Sequence, residues 1–508
     1  MSSERLTVYG EPIQIASPVR ADWDLATNVG RASPGNFFPS RIGWMAAVND
    51  VDRVSSILDA AAQTGLRPVP VEVVRVPKGD NATRPAADMS TEDQVILSAL
   101  VYLIRAATPS AFVLFSGEGS QTFSEFEHFP ISQENVEYVL EADVANFYEN
   151  VSHERLAYEI IGLTGRADVA EGLTRLLESW MGDTRGLPQG PVASNALADI
   201  YISPAARALD RAGYRFSRYS DDFRVLASTW PETKDAQLAL ETALHGLGLA
   251  AAPGKLRTPK LQTYKNALER VNDPRLVDET FREAVQEVDS EEYAPGLVLE
   301  EVTPEVVAHA ETILDEVLAQ DDVDVLATRL LRRALPRLGA GRSTSALESL
   351  PVLVGKYAHA TTSLARYVRA LIGTDVEKDA IETVLTILNS DHFKFPWQVG
   401  WLLNAICPAE ESDAIAGFAS TALVSSRLPW FARGQAALAL ALHGQLPRTT
   451  DYVSIYERAT RASRPDFVAA VAVANPQWAG GFLRSVSNDS PVLAVVSQLP
   501  PEVVREWV

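Results

Sequence analysis

The chain has 508 residues, a formal net charge of −21, 46% hydrophobic residues and a single cysteine, Cys407. The length suits roughly two to four domains. The lone cysteine excludes a disulfide framework or a cysteine-based zinc site and indicates a reducing, cytoplasmic location. The acidic balance argues against a general nucleic-acid coat protein. Without a long apolar run or a signal peptide, no membrane association is expected.

Up to about residue 275 the sequence alternates between predicted strands and helices. Residues 69–77 (VPVEVVRVP) and 137–144 (EYVLEADV) have the composition of strands. Residues 91–107 (TEDQVILSALVYLIRAA) have helical spacing, with a threonine cap and acids in the first turn. A rigid Gly-Pro turn at 186–190 (GLPQG) then precedes a predicted helix of small and apolar residues.

Two adjacent carboxylates, Asp221 and Asp222, lie between the strand-like runs YRFSRY and FRVLAS. The sequence Ser-Asp-Asp has turn chemistry, so an exposed hairpin tip is the first interpretation. The alternative is a metal site, because a bound cation makes such crowding of negative charge favourable. A third carboxylate elsewhere in the chain would decide between the two.

Asp143 is the candidate for that third carboxylate. It ends a predicted strand, and the aromatic pair Phe147 and Tyr148 follows four and five residues later. A helix is predicted to start at Ser152, whose hydroxyl suits a helix cap. Taken alone, Asp143 would be a strand-end cap. Beside an acid pair on another strand, it completes the set of carboxylates that two-metal phosphoryl transfer requires.

Beyond residue 305 nearly every segment predicts an amphipathic helix of roughly 10–16 residues, separated by short Gly, Pro or Ser breaks. Successive helices of this length indicate a degenerate helical-repeat array. A plain helical bundle is the alternative. A strongly acidic stretch at 288–325 leads into this part of the chain.

The order of these segments resembles the palm of a reverse transcriptase: an acid-aromatic strand, then LPQG with Ser194, then Tyr-x-Asp-Asp. The matching segments are DVANFYENVSHERL, GLPQGPVASNALADIYI, RYSDDF, LGLAAAPGKLRT (247–258) and VPKGDNATRPAADMSTEDQVI (76–96). The resemblance covers about residues 70–265. It departs from the family at Asn195, where many members have proline, and AAAPGK lacks the usual asparagine before the lysine. RNA-dependent RNA polymerases usually carry glycine before the acid pair, so they fit less well.

The resemblance implies a role for each matching residue. Asp143, Asp221 and Asp222, helped by a backbone carbonyl near Val144, would bind Mg²⁺, with Mn²⁺ as an alternative. The residues implied to contact substrate are Lys78 and Arg84 at the triphosphate, Gln189 and Tyr219 at nucleotide and primer, Lys255 at the family's lysine position and Tyr148 beneath the incoming sugar. If the register is one residue off, Phe147 takes the place of Tyr148.

A polymerase followed by a helical tail most resembles the abortive-infection and unknown-group reverse transcriptases of bacterial anti-phage defence. This resemblance implies an α+β fold with right-hand fingers and palm (1–275), an acidic linker or thumb-like region (276–304) and an all-α, HEAT-like helical-repeat domain (305–508). It also implies DNA synthesis, in some members untemplated or protein-primed. Expected partners are dNTPs, template RNA or single-stranded DNA product, and further copies of the chain. The alternative is a nucleic-acid-binding scaffold with a vestigial site, against which the three intact aspartates argue.

Overall fold

The structure is a computed structural model, and it describes residues 12–508 except 33–34, 36, 40–41, 80–81, 109–121, 272–302, 321–322, 324 and 391–394. The chain divides into two compact units that interleave along the sequence. The first unit is Met1–Ala32, Asp59–Pro70 and Asp93–Glu292, and the second is Ser33–Leu58, Val71–Glu92 and Tyr293–Val508. The predicted domains were consecutive; their boundaries around 276–304 fall almost wholly outside the described residues and stay predictions.

Between residues 12 and 271 the described chain forms twelve α-helices and five strands. The helices are α1 (Ser17–Asp22), α2 (Leu25–Arg31), α3 (Ile42–Asn49), α4 (Val51–Thr64), α5 (Thr91–Ala107), α6 (Phe123–His128), α7 (Phe147–Asn150), α8 (His153–Thr164), α9 (Ala167–Met181), α10 (Val192–Arg211), α11 (Trp230–Gly246) and α12 (Leu261–Val271). The strands are β1 (Glu72–Lys78), β2 (Ala82–Asp88), β3 (Tyr138–Asp143), β4 (Phe216–Tyr219) and β5 (Asp222–Ala227). The predicted strands at 69–77, 137–144 and on both sides of Asp221 are confirmed, as is the helix at 91–107.

The described part of residues 303–508 contains helices only. They are α13 (Pro304–Leu318), α14 (Val325–Ala340), α15 (Leu350–Lys356), α16 (Thr361–Leu371), α17 (Glu377–Leu388), α18 (Pro396–Ile406), α19 (Asp413–Val424), α20 (Trp430–His443), α21 (Thr449–Arg458), α22 (Arg464–Ala474), α23 (Ala479–Val486), α24 (Pro491–Val496) and α25 (Pro501–Trp507). Among the described helices, none combines the length and the apolar character that a membrane span requires.

The first unit is built around a three-stranded antiparallel sheet in the order β3-β5-β4. Helices α11 and α12 pack against it. On one side of the sheet a hydrophobic cluster contains Val139, Leu226, Tyr264 and Leu268, with Leu261 packed against it. Burial of each large apolar side chain contributes about 1.5–3 kcal/mol. The cluster therefore holds α12 against the strands that carry the aspartates.

The free edge of β3 is covered by the segment that follows α11. Antiparallel bridges join Tyr138 to Lys260, Glu141 to Arg257 and Val144 to Ala251. The backbone of Arg257 both donates to and accepts from Glu141, at 3.0 and 2.8 Å. This pairing satisfies edge donors and acceptors that would otherwise be left open. It also carries the segment 251–260 past the end of β3.

In the second unit, α14 packs against α16, α16 against α18, α18 against α20, and α20 against α22. Helix α16 shows why, because Leu364, Val368 and Leu371 recur at helical spacing and are fully buried. Helix α20 is buried on nearly all sides, as its run of alanine and leucine predicts. This packing agrees with an arrangement of successive helices in layers. That they form a HEAT-like repeat stays a prediction.

The β1–β2 hairpin belongs to the second unit. Its strands pair antiparallel, with Lys78 opposite Ala82 and Val76 opposite Arg84. Strand β1 packs against α18, and the carboxylate of Glu72 accepts the backbone N–H of Trp430 at 3.0 Å. A carboxylate at the N-terminus of α20 is stabilised by the helix dipole. The hairpin that the resemblance assigns to the fingers is thus packed on the C-terminal helices.

Candidate active site

The sheet of the first unit brings Asp143 and Asp222 directly opposite each other, as the last residue pair between β3 and β5. Tyr219 on β4 is the partner of Asp222 on the other side. Ser220 and Asp221 therefore form a two-residue turn, and Ser220 has the left-handed φ of 51°. Asp221 and Asp222 are both half-buried rather than fully exposed. All three predicted aspartates thus lie at one end of the sheet.

Two cations neutralise part of this negative charge. The ammonium of Lys255 donates to Oδ2 of Asp143, because the segment beside β3 delivers Lys255 to the strand end. A guanidinium nitrogen of Arg224 lies 3.7 Å from Oδ1 of Asp222. Burial, opposed by Arg224 but reinforced by the charges of Asp221 and Asp143, raises the pKa of Asp222 to about 6. A carboxyl whose pKa is raised by burial and by neighbouring charges marks a candidate functional site.

Within the described residues, no three acidic, histidine or cysteine side chains converge on a ready metal position. The backbone register brings the aspartates together, but their carboxylates repel one another, and Asp143 is turned to Lys255. The donor set is all oxygen, which suits a hard divalent ion.

The chain after Asp143 holds the Gly-Pro turn in place. The backbone N–H of Leu187 donates to the carbonyl of Tyr148 at 2.8 Å, and that of Gly186 donates to the carbonyl of Val151 at 2.8 Å. Gly186 has a φ of 100°, and an added Cβ would come within 3.2 Å of the Met181 side chain. Glycine is required there. Gln189, three residues further on, is half-buried.

The two residues of the aromatic pair, Phe147 and Tyr148, differ in burial. Phe147 is only 3% exposed and its ring lies 6.4 Å from that of Tyr201. Tyr148 is half-buried, and its hydroxyl donates to Oδ1 of Asn195 at 2.7 Å. Asn195 is the residue at which the sequence departs from the family's proline. Sequence reasoning gave it no role.

Tyr219 packs against helix α6. Its ring makes edge contacts with Phe123 and lies 6.0 Å from the ring of Phe126. The guanidinium of Arg224 lies 4.8 Å from the centre of the Phe126 ring. These contacts fix β4 and β5 against α6. The predicted contact of Tyr219 with nucleotide or primer stays a prediction.

Lys78 and Arg84 lie on the β1–β2 hairpin of the second unit. Lys78 ends β1 and is exposed, beside a turn at Gly79. Arg84 is half-buried, with its guanidinium 5.6 Å from the centre of the Phe37 ring. The three aspartates, Tyr148, Gln189, Tyr219 and Lys255 all belong to the first unit. The triphosphate role of the two hairpin cations stays a prediction.

His153 is a buried residue with a structural role beside the Gly-Pro turn. It is 1% exposed, and Nε2 donates to the carbonyl of Gly186 at 2.6 Å. The buried Nδ1 has no hydrogen-bond partner among the described residues. Burial lowers the pKa of His153, and the bond to Gly186 only partly opposes this. The neutral ring therefore ties α8 to the turn before Gln189.

We expect His153 to make the protein less stable as the pH falls. Below about 6.5 the unfolded chain takes up a proton on this histidine that the folded protein does not. The free energy of unfolding therefore falls as the pH drops through 6.5 towards the lowered pKa of the folded state. His153→Gln, which keeps an N–H donor, should flatten this dependence. Thermal midpoints between pH 5 and pH 8 test it, with exposed His245→Gln as control; equal slopes for the His153→Gln variant and the wild type contradict it.

Residues 76–265 match the family model described as reverse transcriptase (RNA-dependent DNA polymerase). The matched range agrees with the region of resemblance in the sequence and includes every predicted site residue. It makes up the reverse-transcriptase domain of this chain. RNA-dependent DNA polymerase is the activity by which that family is described.

One solved structure similar to this chain is that of telomerase from Candida albicans in complex with a TWJ fragment of telomeric RNA. The two chains are 13% identical, the similarity covers 70% of this chain and 63% of that one, and the TM-score is 0.26. A score this low does not establish a common architecture for the whole chain. No curated protein matches the sequence.

Proposed function

We propose that this chain, whose residues 76–265 are a reverse-transcriptase domain, adds deoxyribonucleotides to a primer by two-metal phosphoryl transfer. The observation that carries the proposal is the strand register that sets Asp143 opposite Asp222, with Asp221 next to it. An acid pair on a solvated hairpin tip has no need of a third acid across the sheet. A catalytic site does, because two shared metal ions require shared carboxylates.

The residues available suit Mg²⁺, with Mn²⁺ as the alternative. Asp143 already takes a cation, the ammonium of Lys255. Backbone bonds beside Val144 run from Ala145 N–H to Ala250 and from Ala252 N–H to Asp143, so neither of these bonds uses the Val144 carbonyl. When bound, the metal ions activate a 3′-hydroxyl and stabilise the leaving pyrophosphate. Asp143, Asp221, Asp222 and the Val144 carbonyl would hold them.

The other predicted residues act on substrate charge and orientation. Lys78 and Arg84 neutralise the triphosphate, which is the main electrostatic task of phosphoryl transfer. Gln189 and Tyr219 orient nucleotide and primer. A metal ion held by Asp143 would compete with the Lys255 ammonium for that carboxylate. The ammonium would then be available to the leaving pyrophosphate.

We propose further that the protein acts in bacterial anti-phage defence from the cytoplasm, with synthesis that is untemplated or primed from the protein itself. The support is the resemblance of a polymerase followed by a helical tail to the abortive-infection and unknown-group enzymes. The tail acts as a HEAT-like repeat that assembles homo-oligomers or holds product, since helical arrays present extended surfaces. Template RNA or single-stranded DNA product is the nucleic-acid partner.

The tail should supply no catalytic group. All candidate catalytic residues precede residue 260, and so Glu382→Gln and Glu502→Gln, on exposed tail positions, are expected to leave the rate of dNTP incorporation unchanged. Incorporation assays and light scattering of the purified variants test this. A variant that loses incorporation while it keeps its oligomeric mass refutes it.

Sequencing of the reaction product tests the proposed function as a whole. The purified protein is treated with nuclease, supplied with each dNTP and Mg²⁺, and its nucleic acid is sequenced. New DNA that depends on dNTP supply is expected. The scaffold alternative predicts retained nucleic acid, no new product and the same result for Asp222→Asn.

A further inference from the structure

A buried ion pair links helix α10 to the strand that leads into the catalytic turn. A guanidinium nitrogen of Arg218 on β4 donates to Oδ1 of Asp199 at 2.9 Å, and each side chain is 1% exposed. The same nitrogen donates to the carbonyl of Ser220. Ser220 is the first residue of the turn and directly precedes Asp221 and Asp222. One buried side chain thus connects α10 to the backbone that carries two of the aspartates.

Stability alone does not account for this pair. Removing two charges from water costs several kcal/mol per ion, and well-packed apolar residues of similar volume are often as stabilising or more so. The guanidinium does what apolar groups cannot, because one nitrogen of its planar group donates to two acceptors and so holds them in a fixed geometry. One of those acceptors belongs to a residue with a left-handed φ of 51°. Such a conformation is uncommon for serine and persists where neighbouring groups fix it.

Helix α10 also contacts the other side of the site. Asn195 lies one helical turn before Asp199, on the same face, and accepts the hydroxyl of Tyr148 at 2.7 Å. The helix therefore contacts the tyrosine predicted to lie beneath the sugar and, through Arg218, is linked to the turn with the aspartates. Its rigidity fixes these two parts of the site relative to each other.

We propose that Asp199 and Arg218 are positioning residues that set the backbone of the turn at 220–222 and thereby the geometry of metal binding by Asp221 and Asp222. This inference rests on the proposed polymerase function. Neither residue contacts a reacting group. Arg218 holds the Ser220 carbonyl, and Asp199 neutralises and orients Arg218. Loss of the pair leaves the aspartates present but misaligned, which lowers the rate of chemistry and raises the Mg²⁺ concentration required.

The test uses the full-length double variant Asp199→Leu/Arg218→Met, which removes both charges and leaves no unpaired ion in the core. The control is the double variant Glu159→Leu/Arg207→Met. That pair, at 2.8 Å, joins the same helix α10 to α8. The measurements are thermal midpoint, kcat and KM for dNTP incorporation, and the Mg²⁺ concentration at half-maximal rate. Small misplacement of catalytic groups typically costs about 10- to 100-fold in rate.

The expected result is a folded Asp199→Leu/Arg218→Met protein whose kcat is about 10- to 100-fold lower and whose Mg²⁺ requirement is higher, beside a control with wild-type kinetics. Wild-type kcat and Mg²⁺ requirement overturn the inference. If the Asp199→Leu/Arg218→Met protein does not fold, the Asp199→Asn/Arg218→Gln variant is measured and judged by the same criteria. If neither variant folds, the pair has a role in folding alone and the inference is overturned. The proposed function fails separately, through unchanged incorporation by Asp222→Asn.

Discussion

Asp222→Asn is expected to lower dNTP incorporation in Mg²⁺ by at least about 100-fold, the typical effect of removing one preorganised electrostatic group from an active site. The asparagine is nearly isosteric but provides one neutral oxygen in place of a carboxylate shared between cations. Incorporation assays at saturating dNTP measure the effect. Asp210→Asn, an exposed substitution on α10, is the matched control and should keep the wild-type rate. If Asp222→Asn leaves incorporation unchanged, the acid pair is a solvated hairpin tip and not a metal site.

The same variant should not be less stable without metal. Because the pKa of Asp222 is raised to about 6 in the folded protein, the protonated carboxyl stabilises the fold below the unfolded pKa. That contribution is lost as the pH rises through about 6. At pH 8 the ionised carboxylate is unfavourable because it is buried and because Asp221 and Asp143 lie beside it, and asparagine removes the charge. Its thermal midpoint at pH 8 should equal or exceed that of the wild type. A lower midpoint contradicts this.

Local pattern accounts for the elements that carry the site. Alternation and β-branched residues predicted the strands around Asp143 and Asp221, and the serine cap predicted the start of α8, where Ser152 accepts the backbone N–H of Arg155. The three aspartates could be grouped because Asp143 ends a strand, and Asp221 and Asp222 lie where one strand turns into the next. Such signals act over a few residues, so sequence alone specifies them well.

Long-range pairings were not predicted. The contact of Lys255 with Asp143 joins residues 112 positions apart, and it depends on a segment that pairs with the edge of β3. Sequence position likewise placed the β1–β2 hairpin with the first domain, whereas its packing is with the C-terminal helices. In the sequence, Asp199 is a single acidic residue in an apolar helix, and Arg218 is a single basic residue before a turn. Their pairing arises only from tertiary packing, which no local pattern encodes.

The environment of the aromatic pair favours Tyr148 over Phe147 as the residue that meets the incoming sugar. Phe147 is buried against Tyr201. Tyr148 is half-buried and its ring is anchored through the hydroxyl by Asn195. An anchored ring excludes a ribonucleotide better than a mobile one, because it cannot swing aside to admit the 2′-hydroxyl. Clashes of this kind typically cost about 1–3 kcal/mol.

Tyr148→Val should therefore keep dNTP incorporation and raise the ratio of rNTP to dNTP incorporation by roughly ten- to a hundredfold. Asn195→Ala frees the ring without removing it and should raise the ratio less. Phe147→Val is the matched core control, expected to lower the free energy of unfolding by on the order of 2–4 kcal/mol with the ratio unchanged. Competition assays and denaturant unfolding measure both quantities. If Phe147→Val changes the ratio and Tyr148→Val does not, Phe147 is the residue beneath the sugar, because only the side chain in contact with the 2′ position can set that ratio.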